Sequence, residues 1–236
     1  MVSRPAGYLC NLTDALALVA VARRGKPRGP WDNGMSSFSI VQDAGLELRR
    51  RIFAALETTP DTDFGLNGNI DRIRIAPPGD ELPNGTLAAL FLYHLDIDRH
   101  LRNQRPLPDR DDPSIQRKPP LPLQFRFLFT PVDDDDSINH LVLGRVLQHF
   151  HDQPFITTIA GEPLDDSFGG ATTALRVKPD MLTVEQFSQL WNALSAPYRL
   201  SIAFLVDIAA VDSGAPPRQA PRVEELLAAT GITVES

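Results

Sequence analysis

The residues of this chain that could carry chemistry are five histidines, one cysteine, a run of four aspartates and an arginine-rich segment. A zinc site needs three or four donors brought together. His149 and His151 are two positions apart, so on a helix they project about 200° from one another, and His140 lies more than two turns upstream. A metal-dependent hydrolase built on His140, His149, His151 and nearby aspartates is the enzymatic alternative. Solvated or helix-capping histidines are the plainer reading. Asp133, Asp134, Asp135 and Asp136 lack the glycine turn and distal glutamate of a calcium loop. Placed before a helix, they complement its dipole instead. No G-x-S-x-G nucleophile elbow occurs. Cys10 sits in an atypical N-terminal stretch, which makes it a poor nucleophile candidate. The glycines at 65, 68, 169 and 170 lack the lysine and the strand-to-helix setting of a phosphate loop. No catalytic residue, metal or cofactor is expected. Arg99, Arg102, Arg105 and Arg110 alternate with aspartates, which reads as a solvated loop or, more sharply, as a protein–protein contact.

Composition narrows the function classes. The net charge of −7 gives no support to nucleic-acid binding, which leaves a basic footprint. No apolar run reaches the roughly 18 residues that span a bilayer, so no membrane partner is expected. A single cysteine excludes an intramolecular disulfide, and 42% hydrophobic residues suffice for a sizeable core. Residues 1–37 differ from the rest, because their first 34 positions carry five cations against two carboxylates. Leu12–Ala22 faintly resembles a signal-peptide core, but Asp14 interrupts it and Arg23-Arg24 follow it. The alternative is that translation begins at Met35.

The elements that must position these residues follow from periodicity. Residues 38–58 predict a helix, with Val41, Leu48, Ile52, Ala55 and Leu56 inward and Glu47, Arg49, Arg50 and Arg51 largely outward. A short strand is expected at 71–76. A second is expected at 86–97, with Leu87, Ala89, Phe91, Tyr93, Leu95 and Ile97 facing away from Leu90 and Leu92. Residues 99–120 form a long, charged, proline-rich excursion, either a functional loop or partly disordered. A third strand spans 121–130, with Leu123, Phe125, Phe127 and Phe129 opposed to Gln124, Arg126 and Thr130. The aspartate run then leads into a helix striped by Ile138, Leu141, Val142, Val146, Leu147 and Phe150. Strands are expected near 155–159 and 171–177. Thr183 and Gln186 have capping-box spacing ahead of Phe187, Leu190, Trp191 and Leu194, and Ala196-Pro197 stops that helix. From Tyr198 the period becomes two, with Tyr198, Leu200, Ile202, Phe204, Val206 and Ile208 on one side. A linker at 214–217 and a short helix at 221–230 close the chain. The fold class is α/β (α+β), a mixed, mostly antiparallel sheet flanked by helices.

Four stretches in order carry a resemblance: FLYHLDIDRHLRNQ (Phe91–Gln104), KPPLPLQFRFLFTPV (Lys118–Val132), HLVLGRVLQHFHDQPFI (His140–Ile156) and LTVEQFSQLWNALSAPYRLSIAFLVDIAAVDS (Leu182–Ser213). Together, across about Phe38 to Ser213, they resemble the tail-terminator, or cap, proteins of extracellular contractile injection systems of the antifeeding-prophage type. Phe129, Phe150 and Phe204 depart from the family pattern but conserve volume, and residues 1–37 have no counterpart in it. The resemblance implies a phage-tail-terminator-like subunit of a homohexameric ring. That ring would end inner-tube polymerisation and anchor the last sheath layer, as a structural protein and not an enzyme. Its expected partners are its own copies and the tube and sheath proteins, with neither nucleic acid nor membrane. Assembly in the bacterial cytoplasm, followed by incorporation into the particle, is expected. Arg99, Arg102, Asn103, Arg105 and Asp133–Asp136 are the candidate interface residues. A small interaction module outside any such particle is the remaining alternative.

Overall fold

The computed structural model describes residues 39–79, 81–101, 103–108, 112, 114–159, 161–164, 174–211 and 213–219. Every described residue lies in the second of two units, 34–236. The expectations for residues 1–37 and for a helix at 221–230 fall outside the described residues. Helix α1 (Ile40–Glu57) is followed by β1 (Ile73–Arg74), β2 (Ala88–Ile97), β3 (Leu107–Pro108), β4 (Ile115–Arg117) and β5 (Leu121–Pro131). Next come α2 (Asp136–Asp152), β6 (Phe155–Ile156), β7 (Thr158–Ile159), β8 (Glu162–Pro163) and β9 (Leu175–Pro179). Helix α3 (Val184–Ala193), β10 (Ile202–Val211) and β11 (Arg218–Gln219) complete the described elements.

The main sheet runs β1-β2-β5-β10-β9-β6. Among the described residues of this sheet, only the β1–β2 pair is parallel. Helices α1 and α2 pack on one face. There Ile40, Ala44, Leu48, Ile52 and Leu56 of α1 join Val142, Leu143, Val146 and Phe150 of α2 over Phe125, Phe127, Phe129, Phe204 and Val206. Each such aromatic contributes about 1.5–3 kcal/mol by leaving water. At Gly45 α1 lies directly on the Phe127 ring, where a Cβ would meet it at 3.5 Å, an ordinary packing contact. The mixed, helix-flanked sheet is the fold class read from the sequence.

Several local expectations change. Strand β1 has two residues, because Ile70–Arg72 winds into a 3-10 turn capped by Asn69. Strand β2 does not keep one alternation. Its register against β5 shifts between Leu92 and His94, so Tyr93 is bulged. Leu90 and Leu92 therefore share a face with Leu95 and Ile97, while Phe91 shares the other with His94 and Asp96. A second shift, between Val206 and Ala209, does the same in β10. That strand starts at Ile202, and Tyr198 and Leu200 are 59% and 51% exposed rather than core. In α2, Leu143 and Asn139 are buried, whereas Leu141 and Leu147 are exposed. Glu47 is buried, not outward, because Arg50 and Arg51 of its own helix donate to its carboxylate at 2.7 and 3.0 Å. Part of the charged excursion is ordered too, as β3 and β4 form a three-stranded sheet with β11.

Candidate assembly surface

The expected contact residues fall at opposite ends of the sheet. Arg99, Asn103 and Arg105 are exposed just beyond β2, where Asp98 Oδ1 accepts the backbone N–H groups of His100 and Leu101. Arg102 lies outside the described residues. Asp133–Asp136 follow β5 at the other end, about 30 Å away along a ten-residue strand.

The four aspartates do different work. Asp135 is the N-cap of α2, its Oδ1 accepting the backbone N–H and the hydroxyl of Ser137 at 2.8 and 2.7 Å. These bonds hold its carboxyl below the usual range. Asp133 Oδ1 accepts the N–H of Asp135, and its backbone is clasped by the buried amide of Asn139. Both are occupied in building the helix start, which leaves Asp134 and Asp136 facing solvent. Asp133 and Asp134 also line a polar cleft with Arg72 and Arg199. The sequence signalled the helix start but could not rank the four.

The sheet's second face holds a polar network. Its outward side chains on β5 and β10 were legible, but their partners were not. Gln124 Nε2 donates to Asp98 Oδ2 at 3.0 Å and to Asp207 Oδ1 at 2.9 Å. Lys178 Nζ donates to Asp207 Oδ2 at 2.7 Å. Alongside, Arg126 pairs with Asp180, which also accepts the Tyr93 hydroxyl at 3.3 Å. Burial, then the Asp180 carboxylate, push the Tyr93 hydroxyl up to about 12. The two bulges flank this network on either side of β5. It crosslinks four strands, β2, β5, β9 and β10, together with their ends, and so stiffens the sheet.

The histidines do not converge. His140 and His151 are exposed, and His149 packs edge-on to Phe150 with ring centroids 5.1 Å apart. Burial, then Arg51 and Arg145, hold His149 below its ordinary value. Two neighbouring cations make that side chain a poor metal ligand. Among the described residues no group of three His, Cys, Asp or Glu side chains is placed to hold a metal ion. Nor does any helix among them have the length and apolarity to cross a membrane.

A helix-backed mixed sheet with charged loops at both strand ends is an architecture for presenting surfaces. Residues 47–225 match the family described as Pvc16 N-terminal domain, and the chain belongs to that family. Its fold is similar to that of the sheath/tube terminator of PVC, an extracellular contractile injection system, solved in the extended state. The two are 20% identical with a TM-score of 0.51, over 86% of this chain and 65% of that one. It is also matched to the tube-terminating cap of the anti-feeding prophage at 15% identity and a TM-score of 0.49. That match covers 81% of this chain and 62% of the cap. The chain thus spans about two-thirds of the length of these structures or slightly less. No curated protein matches it by sequence. The resemblance read from the four sequence stretches is borne out at the level of family and fold.

Proposed function

We propose that this chain is the terminator of a contractile, phage-tail-like injection particle. Copies of it close into a ring, six-fold by the family resemblance, that ends growth of the inner tube and anchors the last sheath layer. The observation that carries this is the family match over residues 47–225, and the likeness in fold to a sheath/tube terminator supports it. Residues 38–213 form the terminator-like domain. The role is structural and calls on no catalytic residue. The two charged ends of the sheet suit a subunit held between different neighbours. Arg99, Arg102, Asn103 and Arg105 serve contacts at one end, and Asp134 and Asp136, framed by Asp133 and Asp135, at the other. Assembly takes place in the bacterial cytoplasm, before the chain becomes part of the particle.

The test is polymerisation of the purified tube protein with and without this chain. Substoichiometric chain is expected to shorten the tubes, and light scattering should find it in ring-sized oligomers. Tubes of unchanged length, with the chain still monomeric in the presence of tube and sheath proteins, would contradict the proposal.

A further inference from the structure

An apolar groove of about 610 Å³ opens beside α1, between that helix and the β1–β2 edge of the sheet. Its apolar lining includes Leu46, Ile75, Leu92 and Phe127. Leu46 and Ile75 are large side chains left 38% and 43% exposed. Arg49 and Arg74 also line it. The Nε of each is buried with no hydrogen-bond partner, but Arg49 already reaches the Asp71 carboxylate through Nη1 at 3.4 Å, which leaves Arg74 as the cation in need of an acceptor. A buried guanidinium donor without an acceptor is costly. The groove is therefore shaped for an apolar side chain accompanied by a carboxylate.

The same chain presents such a segment elsewhere. Val184, Phe187 and Trp191 share one face of α3 at i, i+3 and i+7. Trp191 is 2% exposed, Phe187 is half-buried and Val184 is 78% exposed. The apolar stripe runs out of cover at the helix N-terminus, where Met181 is 90% exposed. Glu185, the acidic residue of that first turn, is exposed beside it. A capping box of Thr183 and Gln186 holds this turn in shape. Helix α3 connects β9 to β10, whereas the groove lies at the β1–β2 edge of the sheet. A ridge and a groove at different places on one subunit make a heterologous contact, the kind that closes rings.

We infer that the start of α3 and the residues leading into it, Met181–Glu185, dock into the α1/β2 groove of an adjacent copy of this chain. Val184 and Met181 fill the apolar part, and the Glu185 carboxylate accepts from Arg74. This rests on the ring proposed above and names the contact that forms it.

The test uses two full-length variants in a Cys10→Ser background, one carrying Leu46→Cys and the other Val184→Cys. They are mixed with tube protein under mild oxidation. A crosslinked pair is expected only in the mixture, because neither variant alone brings the two thiols together. In a separate pair, Arg74→Glu and Glu185→Arg should each weaken self-association roughly tenfold, the equivalent of about 1.4 kcal/mol. Together in one chain they should restore it. Thermal melts of all variants show whether each still folds. If the chain forms oligomers but the mixture does not crosslink, or Val184→Cys pairs with itself, the docking is wrong and the ring stands. If the docking groove is taken by the tube protein, the crosslink is likewise absent and Leu46→Cys captures tube protein carrying a single cysteine. A chain that remains monomeric with tube and sheath proteins present overturns the ring and this contact together.

Discussion

Replacing Asp180 with asparagine probes the second face of the sheet through one observable group. Asp180 accepts from Arg126 and from the Tyr93 hydroxyl, and it is 14% exposed at its side chain. Burial sets Tyr93 up first, and the Asp180 charge adds to it, while Arg126 pulls the other way. Removing the carboxylate leaves burial opposed by an unmatched guanidinium, so the pKa should fall from about 12 toward the ordinary tyrosine value of about 10. The linkage sign follows from the direction. A raised folded-state pKa adds stability below about pH 10 that is lost as pH climbs through the folded value. Because Tyr93 is only half-buried, solvent screening limits that contribution to roughly 1 kcal/mol. The orphaned Arg126, 27% exposed, adds about 1–2 kcal/mol of destabilisation. The assay is phenolate absorbance against pH, with a Tyr93→Phe variant subtracted to isolate this tyrosine from Tyr8 and Tyr198. An unchanged Tyr93 titration in Asp180→Asn would refute the network as described.

Other perturbations give separate readouts. Trp191→Ala should cost about 2–4 kcal/mol by urea unfolding, below the upper range for buried tryptophan because its unpaired Nε1 is already a liability. Trp191→Phe should stay within about 1 kcal/mol of the parent for the same reason. Thr183→Ala removes the capping-box oxygen of α3 and should cost about 1 kcal/mol. Burial, then Arg51 and Arg145, hold His149 below its ordinary value, so stability should decline as pH falls below about 6.5. A His149→Gln variant should flatten that decline in melts run across pH. Asp134→Asn with Asp136→Asn should lower stability by no more than about 1 kcal/mol, the charge lost from the start of α2, while weakening incorporation into particles, as measured by sedimentation with sheath and tube.

Much of this architecture is written in local periodicity. The Phe125–Phe127–Phe129 alternation fixed the buried face of β5, and Thr183-x-x-Gln186 fixed the start of α3 to the residue. Sequence spacing failed where two chains of residues must be compared. The bulges at Tyr93 and near Asp207 exist only relative to β5, so the faces of Leu95 and Ile97 could not be assigned from β2 alone. Helical spacing puts Glu47 outside the apolar face, yet two arginines three and four residues on make its burial tolerable. Tyr198 and Leu200 continued an alternation in sequence, but the backbone turns at Ser195, with a φ of 53°, and the strand begins only at Ile202. Of the candidate surface, the charged loops were visible as composition. The groove beside α1 was not, since Ser39–Arg49, Arg74–Ile75 and Leu92 meet only after folding.

The most direct test of the terminator role is electron microscopy of whole particles assembled with this chain carrying a bound label. The label should sit at one end of each tube, in a single layer, and particles made without the chain should have tubes of uncontrolled length. Label spread along the tube or sheath, or tubes of normal length in the chain's absence, would contradict the account.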